Sequence, residues 1–374
     1  MKKHLTKVVI WGTKLEAEKV LFLCQVNNIE CEYVIDSLEE GKLHGYKVKK
    51  FSDLDKISYF CVIACSEFDT YNTIKKKLEE KKLVEFNDYI WSKLWMRKLV
   101  VINANCHGSA VKKYLESSVE FCEKYAIYPV PEIWQNEKKE IDELLLQNID
   151  VYIHQDIRRN NIISEKLSDD YIVPRLKKDV LNICIPNFVG YGNMCYPYIC
   201  SGGYATRGTN PTLIMFQDTL LDDAYKNLKL QKKEIDISDI LKFVNAKKLD
   251  LDKYFEEGLE KIRKREQNWD IKVSDYISNH RKDKRLFNDI NHPGNGLMKF
   301  ICDKVISLLG CKIIEYWNFG MGAEIPRILV DEECPIYKDI RDDNTNISLT
   351  SRPFNGYEDY VRQYIWLVYD EYLR

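Results

Sequence analysis

Apolar and polar residues alternate along the first hundred residues in the rhythm of strands and helices. The run KVVIWG predicts a buried strand that ends in glycine, and TKLEAEKVLFLCQVNN has the pattern of a helix. IECEYVID predicts a second strand that ends in Asp36, and YFCVIAC predicts a further strand. Strands that alternate with helices are typical of βαβ units and a parallel sheet. We therefore expect a small α/β domain over residues 1–95.

A second α/β region follows, over residues 96–374, and its later half is mostly helical. Leu99 to Ile102 predict a buried strand, residues 103–108 a tight turn, and the residues from Gly108 to about Ser118 a helix. Further strands are expected in YAIYPV, DVYIHQD and DVLNICIP. Helical periodicity is found in EKKEIDELLLQ, DISDILKFVNA, LDKYFEEGLEKIRKREQN, GLMKFICDKVISLLG and EDYVRQYIWLVYDEYLR. Within these, the alternating charges of EEGLEKIRKREQN are typical of a solvated face.

Composition narrows the class of protein. A hydrophobic content of 45% with 12% aromatic residues is typical of a globular chain, and the net charge of −2 gives no electrostatic reason to expect nucleic acid. The 12 cysteines are scattered, without the paired spacing of a metal knuckle. No apolar run reaches the ~18 residues of a membrane span. We therefore expect reduced thiols, no metal, no transmembrane segment and a cytoplasmic location, with a homo-oligomer left open.

The first domain departs from the dinucleotide-binding fingerprint. Its three glycine positions hold Gly12, Lys14 and Ala17, although Asp36 fits the ribose-binding position. These substitutions favour a degenerate nucleotide-sugar-binding or scaffolding domain over nicotinamide chemistry. Residues 5–90, including the phrase VID…GKLHGYKV, resemble the small Rossmann-like domain that precedes many bacterial sugar acyltransferases.

The turn NANCHGSA carries the first candidate chemistry. Cys106 lies where a strand gives way to a helix, and a helix start offers backbone N–H groups and a positive dipole end that favour a thiolate and a developing oxyanion. Far along the chain, Asp289 and His292 are three residues apart, so the carboxylate can orient the imidazole. Cys106 as nucleophile, His292 as base and Asp289 as orienter form a triad in the expected chain order. His107 is the alternative acid or base.

Two further segments suggest ligand binding. VYIHQDIRRN follows a strand, and ligands of open α/β sheets bind at the carboxyl ends of strands. Arg158 and Arg159 are candidates to bind phosphates, and an exposed charged pair is the simpler alternative. The glycine- and tyrosine-rich stretch from Pro186 to Pro211 predicts an ordered loop with aromatic groups for a sugar or an adenine. Its candidates, with the histidine of the first segment, are His154, Asn187 and Tyr191.

The blocks around Cys106 and Asp289-x-x-His292-Pro293 resemble the first and last blocks of the SGNH hydrolase fold, with the usual Gly-Asp-Ser replaced. Residues 98–310 are similar to the capsular-polysaccharide biosynthesis acetyltransferase family typified by WcbI, through NANCHGSAVKKYL, VYIHQDIR, IPNFVGYGNMCYPY and NDINHPGNGLM. That resemblance implies an α/β, SGNH-like second domain and acetyl-CoA-dependent O-acetylation of a sugar or polysaccharide in surface-polysaccharide synthesis. The residues expected at the coenzyme A site are Asn105, His107, Gly108, Gln155, Arg158 and Arg159.

Two mechanisms stay open within that hypothesis. Cys106 either accepts the acetyl group, or the sugar hydroxyl attacks directly after His292 removes its proton. The alternative functions are an SGNH-like esterase or thioesterase, which deacetylates carbohydrates, and a non-catalytic nucleotide-sugar-binding protein.

Overall fold

The computed structural model describes the chain apart from residues 1–5, 39, 54–56, 136–139, 158–163, 196, 206–213, 232–233, 248–249, 283, 285, 288–289, 316–356, 370–372 and 374. Its strands are β1 Lys7–Trp11, β2 Glu30–Asp36, β3 Gly41–Leu43, β4 Tyr46–Lys50, β5 Phe60–Ile63, β6 Tyr89–Trp91, β7 Lys98–Asn103, β8 Tyr125–Ile127, β9 Val151–Gln155, β10 Leu181–Ile185, β11 Ile199–Ala205 and β12 Ile214–Asp218. Its helices are α1 Leu15–Val26, α2 Phe68–Glu80, α3 Cys106–Glu116, α4 Val119–Lys124, α5 Glu143–Asn148, α6 Asp169–Ile172, α7 Thr219–Gln231, α8 Ile237–Ala246, α9 Leu251–Arg265, α10 Ser274–Asn279, α11 Asn295–Leu308 and α12 Tyr357–Tyr369.

The first sheet has the order β3-β4-β2-β1-β5-β6. Its strands pair in parallel except for the edge strand β3, which pairs antiparallel with β4. Residues 8–11 of the central strand β1 are almost wholly buried, as a parallel strand covered on both faces requires. The predicted α/β class and the Rossmann-like first sheet are therefore confirmed.

Two residues of the dinucleotide-binding fingerprint, Gly12 and Asp36, have structural roles within the first domain. Gly12 has φ of +136°, and a Cβ there would lie 2.6 Å from the carbonyl oxygen of Ala64. The carboxylate of Asp36 accepts hydrogen bonds from Thr13 Oγ1 at 3.0 Å and from the Leu38 N–H at 2.8 Å. Backbone packing explains the glycine and a turn explains the aspartate, so neither needs a nucleotide.

The second sheet has the order β10-β9-β7-β8, in which β7 and β8 are parallel. A separate antiparallel pair is formed by β11 and β12. The helices predicted beyond residue 235 are present as α8, α9, α11 and α12. This distribution confirms the predicted α/β core with helical elaborations.

The chain divides into two compact units. The first consists of residues 1–103, 119–153 and 157–182, and the second of residues 104–118, 154–156 and 183–374. The first unit holds a large apolar cluster that includes side chains of β1, β5, β7 and α5. The second holds the Cys106 turn, the end of β9 and the late helices. Among the described residues, no helix has both the length and the apolar character to cross a membrane.

Candidate functional site

The Cys106 turn begins the helix α3, and it does so two residues before the predicted start. Asn105 is the N-cap, because its side-chain oxygen accepts the His107 N–H at 3.0 Å. Gly108 lies inside the helix, and its N–H donates to the Asn105 carbonyl at 2.8 Å. The sequence interpretation placed the start at the glycine and overlooked the capping side chain. Cys106 is therefore the first helical residue.

Cys106 differs from most other cysteines of the described chain in its surroundings. Its side chain is partly exposed and forms no disulfide. Burial raises the pKa of Cys24 to about 11 and that of Cys31 to about 12, because a thiolate is poorly solvated inside the protein. The position of Cys106 at a helix N-terminus gives a thiol both access and a favourable dipole.

His107 faces inward, next to Cys106 in the chain. It is only 2% exposed, its Nε2 lies 3.1 Å from the carbonyl oxygen of Asn291, and its Nδ1 lies 3.0 Å from Gln155 Nε2. Burial, with a smaller effect of nearby His292, lowers the pKa of His107 to about 3. His107 is thus a neutral, buried hydrogen-bonding group.

Gln155, the last residue of β9, is 1% exposed and connects the turn to two other segments. Its Oε1 accepts the Asn105 N–H at 3.0 Å, and its Nε2 donates to the Pro186 carbonyl at 3.2 Å as well as contacting His107. The structure therefore places Gln155 beneath the turn as a support.

His292 lies beside His107 and just before α11. It is 7% exposed, and the two imidazole rings meet edge to face with centroids 6.1 Å apart. The backbone carbonyl of the preceding residue, Asn291, is the partner of His107 Nε2. The side-chain oxygen of Asn291 accepts a hydrogen bond from the Gly190 N–H at 2.9 Å. The structure thus brings the late histidine to the neighbourhood of the Cys106 turn, 185 residues beyond His107 in the sequence.

The predicted ligand-binding residues fall into two groups. His154 is 4% exposed, and its Nδ1 lies 3.1 Å from the Gln155 carbonyl, so it belongs to the interior. Asn187 and Tyr191 are partly exposed. Asn187 accepts the Val189 N–H at 3.2 Å, and Tyr191 lies in a short 3-10 helix, Tyr191–Met194. The second group is accessible to a ligand.

Arg265 is a residue that the sequence interpretation misplaced on a solvated face. Its guanidinium contacts the Asp156 carboxylate at 3.3 Å, the Asp156 carbonyl at 3.2 Å and the Tyr191 hydroxyl at 3.4 Å. The side chain keeps 28% exposure. The alternating charges describe α9 as a whole. They do not reveal that its last residue, Arg265, binds Asp156, the residue after β9.

Three predicted residues, Asp289, Arg158 and Arg159, lie outside the described residues. In the described part of the chain, no three His, Cys, Asp or Glu side chains form a group that could hold a metal ion.

Comparison with known proteins places this site in a family. The family model of the polysaccharide biosynthesis enzyme WcbI matches residues 99–313, which is more than half of the chain. The chain belongs to the WcbI family. The match includes β7, α3, β9 and α11, and therefore Cys106, Gln155 and His292. The first sheet lies outside it.

A solved structure of WcbI itself shares the fold of this family member. The two have a TM-score of 0.52 and 20% sequence identity, over 73% of this chain and 90% of the other. That structure is described as a novel polysaccharide biosynthesis enzyme, the native protein without a disulfide bond between coenzyme A and a cysteine. No curated protein matches the chain significantly.

Proposed function

We propose that this WcbI-family protein transfers an acetyl group from acetyl-coenzyme A to a hydroxyl of a sugar or polysaccharide during polysaccharide biosynthesis. The observation that carries the proposal is a partly exposed thiol, Cys106, at the first position of a helix, with a buried histidine, His292, brought beside the same turn. Acyl transfer uses such groups: a thiol as nucleophile, an imidazole as base, and helix N–H groups that stabilise the oxyanion.

The residues present fit coenzyme A. The WcbI structure is described as lacking a disulfide bond between coenzyme A and a cysteine, which names coenzyme A beside a thiol, and Cys106 is a partly exposed thiol near the start of the family-matched region. Arg265 offers a partly exposed guanidinium beside the ring of Tyr191, a pairing suited to a phosphate and an adjoining ring. Arg158 and Arg159 stay candidates for the other phosphates.

The bound thioester supplies an activated acyl group, and the chain supplies proton transfer and charge stabilisation. His292 takes the proton of the attacking sugar hydroxyl and returns it to the departing thiolate, so the exchange is balanced. Among the first three N–H groups of α3, those of His107 and Gly108 are bonded to Asn105. We assign the N–H of Cys106 as the donor to a developing oxyanion.

Cys106 acts in one of two ways, and the protein mass distinguishes them. If its thiolate accepts the acetyl group, intact-mass spectrometry after acetyl-coenzyme A is added will show one acetyl mass on the wild type and none on Cys106→Ala. If it only lines the pocket, Cys106→Ala will retain turnover. Cys122→Ala, a partly exposed cysteine on α4, is the matched control and should behave as wild type.

Calorimetric titration of the folded protein with coenzyme A tests the proposal itself. We expect one saturable binding event, weakened in Arg265→Ala because a cation is removed. A folded protein that does not bind coenzyme A even at millimolar concentration contradicts the function. Acetate release from acetyl-coenzyme A without any sugar indicates a thioesterase instead.

A further inference from the structure

The side-chain amide of Gln155 can adopt only one orientation. Its Oε1 faces the backbone N–H of Asn105, which can only donate, and its Nε2 faces the carbonyl of Pro186, which can only accept. A flipped amide would set donor against donor and acceptor against acceptor. The second hydrogen of Nε2 therefore points to His107 Nδ1, 3.0 Å away.

This orientation determines where His107 carries its proton. Nδ1 receives a hydrogen bond from the amide, so it holds no proton, and Nε2 faces the Asn291 carbonyl and must donate to it. A second proton on Nδ1 would point at the amide hydrogen. Geometry thus restricts the ring to the neutral Nε2–H tautomer. Burial lowers the pKa of His107, which also favours the neutral ring.

We propose that Gln155 is a positioning residue that fixes His107 as a neutral Nε2–H imidazole and thereby connects the Cys106 turn to the backbone at His292. One side of the amide holds Asn105, the N-cap of α3, and the other side reaches Asn291 through the His107 ring. The roles of Cys106 and His292 in this statement rest on the proposed function. The state of His107 does not.

The charge state of His107 affects His292, because His292 is a titratable group whose ring packs against the His107 ring. The two rings are 6.1 Å apart, and a positive charge on His107 would disfavour protonation of His292. Within the described part of the chain, the other groups recorded against the ring are uncharged: the Gln155 amide, the Asn291 carbonyl and the ring of Phe188. Cys106 adjoins it in sequence. With His107 neutral, the His292 ring faces no positive charge from this neighbour.

Nuclear magnetic resonance of the ligand-free wild type, labelled with ¹⁵N at its six histidines, tests the tautomer directly. The His107 signals are identified by their loss in His107→Asn. We expect the neutral Nε2–H pattern to persist down to about pH 5, well below the usual histidine pKa of about 6.5. An Nδ1–H tautomer or a charged ring at about pH 6 overturns the inference, whether or not the protein proves to be an acetyltransferase.

The variant Gln155→Glu tests the positioning role. A carboxylate accepts a hydrogen bond from a protonated His107 Nδ1, so the pKa of the ring should rise by about 2 units, from about 3 to about 5. The ¹⁵N spectra of the variant should therefore show a second proton on His107 near pH 5, where the wild-type ring is still neutral. Gln25→Glu, on the exposed side of α1, is the matched control and should change neither.

The outcomes separate the possibilities. A loss of kcat in Gln155→Glu without a second proton on His107 near pH 5 assigns Gln155 to packing alone and overturns the positioning role. If Gln155→Glu does not fold, the wild-type tautomer decides. An inactive wild type with His107 in the neutral form contradicts the proposed function and supports the fixed tautomer.

Discussion

At the scale of single residues, the site shows how two neighbouring side chains take different roles. Cys106 and His107 are adjacent, but the first helical turn directs the thiol to a partly exposed position and the imidazole inward. The sequence alone does not show which of Cys106 and His107 is accessible to a ligand. The partners of His107 are 48 and 184 residues away in sequence, so no local pattern could reveal its buried, neutral state.

Burial of a neutral histidine makes stability depend on pH. Since the folded pKa of His107 is about 3 and the unfolded value about 6.5, the unfolded chain binds the extra proton first, and stability falls as pH drops below about 6.5. His107 should cost the wild type ~2 kcal/mol between about pH 7.5 and pH 5. Urea unfolding measures this: the free energy of unfolding of the wild type minus that of His107→Asn should be smaller at about pH 5 than at about pH 7.5 by ~2 kcal/mol.

The matched control for this measurement is Asn105→Ala. It removes the α3 cap, which is worth about 1 kcal/mol, at both pH values alike because no proton is involved. If the difference between wild type and His107→Asn stays constant over the same range, His107 does not titrate as described.

At the scale of elements, the sequence was most informative where periodicity is long and regular. The helices α8, α9, α11 and α12 and the strands β7, β9 and β10 extend at most one residue beyond the predicted segments. What it missed are the ends: α3 starts at Cys106 because Asn105 caps it, and Arg265 at the end of α9 meets Asp156. Element ends depend on single side chains and on tertiary partners, which periodicity does not include.

The packing of α9 against the segment that holds Tyr191 leads to a prediction at the same scale. Gly258 lies on α9, and a Cβ there would overlap Met194 Cβ, an atom close to the backbone that cannot easily move. Gly258→Ala gains about 1 kcal/mol of helix propensity. It loses more through overpacking, which costs about 1–3 kcal/mol.

We therefore expect a net loss of about 1 kcal/mol in the free energy of urea unfolding. Coenzyme A binding should also weaken, since the segment of Tyr191 is displaced. Lys264→Ala, at an exposed position of the same helix, controls for changes in α9 alone. A Gly258→Ala protein more stable than wild type would show that Met194 yields and that the contact is loose.

At the scale of the whole molecule, the family match and the fold cover different parts of the chain. Residues 99–313 belong to the WcbI family, whereas the first sheet precedes the match and α12 follows it. Composition and periodicity predicted α12 as a helix but gave no partner for it. It packs against α7 and α8, and buried hydrogen bonds join it to Asp218, the residue before α7, across 146 positions of sequence.

Tyr364 on α12 makes this long-range connection. Its hydroxyl is wholly buried, accepts the Asp218 N–H at 2.9 Å and donates to Asp222 Oδ1 at 2.9 Å. Burial beside these carboxylates raises the pKa of Tyr364 far above its usual value, so the hydroxyl stays a donor. Asp218 in turn caps α7 by accepting the N–H groups of Leu220 and Leu221. One phenol thus supports both the cap and the first turn of α7.

Tyr364→Phe should therefore lower the free energy of urea unfolding by about 1–3 kcal/mol, because a buried N–H and a buried carboxylate each lose a partner. Tyr254→Phe, on the exposed surface of α9, is the matched control and should change the free energy of unfolding by less than about 0.5 kcal/mol. Hydrogen exchange should accelerate in α7 as well as in α12, since the cap depends on the same group. Faster exchange in α12 alone would show that α7 is capped independently and that the helix only rests against it.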